Sequence, residues 1–123
     1  MSSERTHVDY LDDILAAMAK VTSFIAGMTF DEFAKDDKTV FAVVRGLEIV
    51  GEAAKQIPAA VRDTYPAVPW RAMAGMRDKL THNYFGVNLI VVWKTATADL
   101  PSLEPEIRRI VADSRANPTE ITP

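Results

Sequence analysis

The sequence predicts an all-α protein, an up-and-down bundle of four principal helices with the last one kinked. Three observations lead there. Apolar residues recur at steps of three and four along most of the chain, and no stretch alternates as a half-buried strand does. Aspartates, prolines and glycines stand where those runs begin and end. The chain has 123 residues, 48% of them hydrophobic, which is enough for one core without staples.

The first helix is expected from His7, with Val8, Leu11, Leu15, Met18, Val21 or Thr22, Ile25 and Met28 on its apolar face. Asp9, Asp12 and Asp13 fall in its first turns, at the positive end of the helix dipole. Gly27 weakens its end. Residues 29–37 read as a connection, with a helical turn near Asp31, Glu32 and Phe33. The second helix starts near Asp37, capped by Asp36 or Asp37. It turns Val40, Val43 or Val44, Leu47, Val50 or Gly51, Ala54 and Ile57 inward. Gly46 and Gly51 in its interior point to a closely packed neighbour, and Pro58 ends it. Residues 59–64 allow one more short helical piece.

The third helix opens at Pro69 or Trp70, with proline in its favoured first-turn place. It carries Met73, Met76 and Leu80 inward and ends near Thr81 or His82. Gly86 marks a turn, and Asn88 is placed to cap the last helix. There Leu89, Trp93, Ala96, Leu100, Leu103, Ile107 and Ile110 keep one phase across Pro101, so one kinked helix is expected. Residues 7–113 are thus expected to form one helical domain, with flexible ends at 1–6 and 114–123.

Composition excludes several chemistries. There are no cysteines, hence no disulfide framework, thiolate metal site or thiol nucleophile. Lys plus Arg is 14 against 17 Asp plus Glu, a net charge of −3. Bulk attraction to nucleic acid is therefore absent, and RNA contact needs a local basic cluster. Residues 69–71 with Lys79 and Lys94 are candidates for it. The short polar start is no signal peptide, and no apolar run is long enough to span a bilayer. A soluble cytoplasmic protein is expected. His7 near Asp9, Asp12 and Asp13 makes a poor metal site, because Asp12 and Asp13 do not share one helix face. No metal or other cofactor is expected.

The chemistry concentrates in Arg77, His82 and Tyr84, spaced Arg-x4-His-x-Tyr. Arginine offers a fixed cationic fork for phosphate. His82, one of two histidines, titrates near neutral pH. On an ideal helix Arg77 and His82 point about 140° apart. They can meet at one phosphate only if the helix ends between them, or if a two-fold dimer brings two copies together. The plainer reading is electrostatic. Arg77, Lys79 and His82 lie in the last turns of a helix, where cations are favoured anyway. Glu48 and Glu52 are expected to pair with Arg45 or Lys55.

Arg77, His82 and Tyr84 with their flanks resemble the HEPN superfamily, and within it the HepT-like toxins. Residues 45–55 resemble that family's second long helix, Pro69 and Trp70 the opening of its motif helix, and residues 84–101 its last helix. The resemblance covers about residues 8–112. It implies the toxin of a type VII-like toxin–antitoxin system, acting as a metal-independent endoribonuclease on RNA. It also implies a cognate nucleotidyltransferase that neutralises the toxin by AMPylation, while a homodimer is expected from the angular mismatch between Arg77 and His82 and from the excess of apolar faces. By position, Arg77 would clamp the scissile phosphate, His82 would move the proton, and Tyr84 would orient substrate and accept AMP. Asp78, Lys79, Asn83 and Glu52 are possible supporting residues. The alternative is a HEPN module that binds a nucleotide or a partner and cleaves nothing. A purely structural helical dimer would leave the triplet to chance.

Overall fold

Two capped helices packed antiparallel form the centre of the fold. The computed structural model describes residues 5–81 and 88–117, without the side chains of Arg77, Lys79, Leu80 and Thr81. Helix α1 (His7–Ile25) opens on a capping box, in which Thr6 accepts from the Asp9 N–H and Asp9 accepts from the Thr6 N–H. Helix α2 (Phe30–Lys35) repeats the device with Thr29 and Glu32. Helix α3 (Asp37–Lys55) is capped by Asp36, whose carboxylate accepts from both the N–H and the hydroxyl of Thr39. Those two bonds hold the Asp36 carboxyl below its ordinary pKa.

Helix α1 lies against α3 with Val21 at Gly46, while Tyr10 and Asp13 face residues 49–56. The buried face of α1 is Leu11, Ile14, Ala17, Met18, Val21 and Ile25. Leu15, expected inward, is only half-buried, and Ile14 takes the core position instead. Both choices satisfy a helical period, and packing on two sides decides between them, because α1 also contacts the last helix.

Helix α4 (Ala59–Thr64) is the short piece after Pro58. Tyr65 follows it, and its hydroxyl donates to Asp113 at 2.8 Å. Helix α5 (Trp70–Thr81) packs on α3. Its first residue, Trp70, is buried and donates its indole N–H to the Tyr65 carbonyl, so its ring belongs to the core.

The last helical run has three parts. Helix α6 (Leu89–Lys94) is capped by Asn88, which accepts from the N–H groups of Ile90 and Val91. A π-helical turn (Thr95–Asp99) follows, closed by the Leu100 N–H on the Thr95 carbonyl. Helix α7 (Leu100–Ala116) then begins with Pro101 in its first turn. Proline has no N–H to bond the preceding turn, and the widened turn absorbs that defect without ending the helix. Helix α7 runs on to Ala116, with Ser114 buried against His7 and Arg115 paired with Asp12. Trp93 of α6 packs on Phe33 and Phe30 of α2, with ring centroids 5.1 and 6.1 Å away. The described residues contain no strand, and their helices form an all-α bundle.

Candidate functional site

The motif helix α5 is fixed at its start by Pro69 and by Trp70, and Met73 is its most deeply buried side chain among those described. Arg77 lies one turn beyond Met73, in the last turns of α5. His82, Asn83 and Tyr84 lie outside the described residues, as do the side chains of Arg77 and Lys79.

The remaining candidates are placed. Asp78 is exposed, and its carboxylate stands 3.6 Å from the Lys55 ammonium, linking α5 to the end of α3. Glu52 lies on the other flank of α3, in a cleft with Tyr10, Asp13 and Gln56. Arg45 stands between two carboxylates, 3.7 Å from Glu48 and 3.8 Å from Glu52. That is the pairing expected from their spacing. Such exposed pairs contribute little stability, typically about 0–1 kcal/mol each. Arg45, Arg71 and Lys94 are all exposed, and of these Arg45 has two carboxylates beside it.

A cavity of about 250 Å³ opens between α5 and the π-turn. Met73, Met76 and Leu103 line it on the apolar side, and Thr95, Asp99 and Ser102 supply its polar atoms. The helical period places Met73, Met76 and Leu103 inward but does not mark Thr95, Asp99 and Ser102 or the cavity they share. The only signal was Pro101 inside an unbroken helical phase, which marks where a helix must deform. Among the described residues no group of His, Asp and Glu could hold a metal ion. No helix among them is long and apolar enough to cross a membrane.

Helical topology, a motif helix docked on a long capped helix and a last helix running past a proline define an all-α bundle. The family profile described as "Ribonuclease HepT-like" matches residues 14–110. The chain belongs to this HepT-like ribonuclease family. It is 48% identical over 107 residues to "Probable ribonuclease HepT" of Thermococcus cleftensis, covering 87% of this chain and 97% of that one. A "Putative RNase" of Methanocaldococcus jannaschii is 42% identical over 104 residues, 85% of this chain and 90% of that one. Another, from Caldanaerobacter subterraneus, is 41% identical over 107 residues, 87% and 96% of the two chains. No solved structure matches the chain.

Proposed function

We propose that this protein is the toxin of a type VII-like toxin–antitoxin pair, a cytoplasmic endoribonuclease that needs no metal. The observation that carries this reading is the family match over residues 14–110, which spans Arg77, His82 and Tyr84 together with both helices that frame them. Relatives named as ribonucleases, alike over nearly their whole length, support the same chemistry.

In this mechanism Arg77 holds the scissile phosphate and stabilises the charge that grows on its oxygens. His82 removes the proton from the ribose 2′-hydroxyl. The freed 2′-oxygen attacks phosphorus, the bond to the 5′-oxygen breaks, and a protonated histidine returns a proton to that oxygen. The products are a 2′,3′-cyclic phosphate and a 5′-hydroxyl. One histidine cannot be base and acid in the same step. Two copies facing each other supply both, which also answers the angular mismatch between Arg77 and His82. Phe41 and Ile90, 79% and 68% exposed, are apolar surface of the kind a second copy covers. Tyr84 orients the substrate and accepts AMP from the partner nucleotidyltransferase, which silences the enzyme.

The test is cleavage of purified RNA in EDTA. Fragments ending in cyclic phosphate are expected, and they should vanish with His82→Ala. A folded wild-type protein that leaves every RNA intact, yet binds RNA or nucleotides, would favour the non-cleaving HEPN module. Sedimentation should show a dimer at micromolar concentration, and a monomer there removes the shared site.

A further inference from the structure

The cavity between α5 and the π-turn has a polar rim of one chemical kind. The Thr95 hydroxyl donates its proton to the Val91 carbonyl at 2.8 Å. The Ser102 hydroxyl donates its proton to the Asp99 carbonyl at 2.9 Å. Each oxygen therefore meets the cavity with lone pairs only. Asp99, exposed and also lining the cavity, carries a carboxylate that can only accept. These three side chains thus offer acceptors only, over walls that include Met73, Met76 and Leu103.

That combination matches a flat ring with adjacent donors on one edge. Methionine sulfur and methyl groups pack well on aromatic faces and adapt to their shape. A volume of about 250 Å³ falls just below the roughly 300–1,000 Å³ of drug-sized sites, and so suits a single base. Among the RNA bases only guanine presents two neighbouring donors, N1–H and the N2 amine, to which a carboxylate can bond with both oxygens. Adenine and cytosine place a ring acceptor beside their amine, which a carboxylate repels. Uracil's one N–H lies between two carbonyls. Met76, which lines the cavity, immediately precedes Arg77 in α5.

We propose that this cavity is a base pocket selecting guanine next to the scissile phosphate, with Asp99 as the specificity-determining residue. The substrate role rests on the ribonuclease reading, but base binding does not. The experiment therefore reads both. Methionine methyl groups are labelled with carbon-13 in the full-length protein, and 5′-GMP and 5′-AMP are titrated separately. In parallel, cleavage is compared on RNA oligonucleotides that differ only by guanine or adenine at one position.

GMP should shift the Met73 and Met76 signals at about tenfold lower concentration than AMP, the discrimination one bidentate base contact supplies. Asp99→Asn should erase that difference while helicity and thermal midpoint stay unchanged, because residue 99 is exposed. Ser102→Ala should weaken GMP alone by a smaller factor, which keeps the test sound if the first variant folds poorly. Guanine-containing RNA should be cut preferentially, and the preference should fall with Asp99→Asn. Equal responses to the two nucleotides, no response at Met73 and Met76, or a preference that survives Asp99→Asn overturns the pocket. Selective GMP binding by a protein that cuts no RNA upholds the pocket and rejects the ribonuclease.

Discussion

Gly46 of α3 lies so close to Val21 of α1 that a Cβ at position 46 would stand 2.5 Å from the Val21 Cγ2. Real Cβ atoms do not approach so near, and valine is stiff at χ1, so a methyl group there must push the two helices apart. Overpacking of this kind costs about 1–3 kcal/mol. Alanine recovers about 1 kcal/mol over glycine through helix propensity. Gly46→Ala should therefore lower stability by up to about 2 kcal/mol, read as a reduced urea midpoint. Combined with Val21→Ala the loss should be smaller than the sum of the single losses, because the added methyl then has room. A Gly46→Ala protein more stable than wild type would show that the helices are not in close contact.

His7 ties the start of α1 to the end of α7, with its Nε2 3.0 Å from the Ser114 hydroxyl. Burial lowers its pKa from the ordinary 6.5, and the helix N-terminus also disfavours a cation there. The folded state therefore prefers neutral His7. Its contribution is fully present above pH 6.5 and is lost as pH falls through the lower folded value. Other groups contribute to the pH dependence of the whole protein, so the informative quantity is a difference. Wild type minus His7→Gln, followed by urea unfolding, should shrink on acidification from pH 7 to pH 5. A difference that does not change with pH removes the linkage.

Much of the fold is legible because helix ends are local chemistry. Asp36 ahead of α3 and Asn88 ahead of α6 act through hydrogen bonds to neighbours in sequence, and Pro58 behind α3 acts by lacking an N–H to continue it. The capping boxes at Thr6 and Thr29 had the same local signal. What was not legible depends on partners distant in sequence. Ile14 rather than Leu15 is buried because α1 is packed on two sides. Trp93 finds Phe30 and Phe33 across a separation of some sixty residues that no period encodes. The candidate site divides in the same way. Arg77, His82 and Tyr84 stand together in the sequence, and their spacing together with the flanking residues carries the resemblance. Met73 and Asp99 meet only through packing, so their cavity has no sequence signature.

Arg77 and His82 make separable contributions under the proposed chemistry. His82→Ala removes the proton-transfer group, which usually costs about 10²–10⁴ in rate. Substrate binding should hardly change. Arg77→Ala removes a cationic clamp on the phosphate, so both turnover and RNA affinity should fall, and Arg77→Lys should restore affinity better than rate. Single-turnover cleavage with a parallel binding titration separates these. Expression without the partner should slow growth, and either alanine variant should relieve it. Two well-folded variants that still cut RNA at the wild-type rate would remove both residues from the mechanism.

Tyr84 is expected to be the residue that the partner nucleotidyltransferase modifies. It stands two positions past His82, so AMP on its hydroxyl would lie beside the proposed catalytic groups. The added phosphate is an anion with strong acceptor oxygens, and Arg77 is a cation already suited to phosphate. Their pairing would occupy the clamp meant for RNA, while the adenosine fills the space a substrate needs. Blocking would then be electrostatic and steric at once. Tyr10 and Tyr65 are the only other tyrosines, and Tyr65 is buried with its hydroxyl bonded to Asp113. Incubation with the transferase and ATP, followed by fragmentation, should place adenylyl mass on Tyr84 and abolish cleavage. Tyr84→Phe should stay unmodified and escape neutralisation. Mass on Tyr10 with Tyr84 bare would reassign the acceptor, and inhibition without any added mass would mean that the partner acts by complex formation.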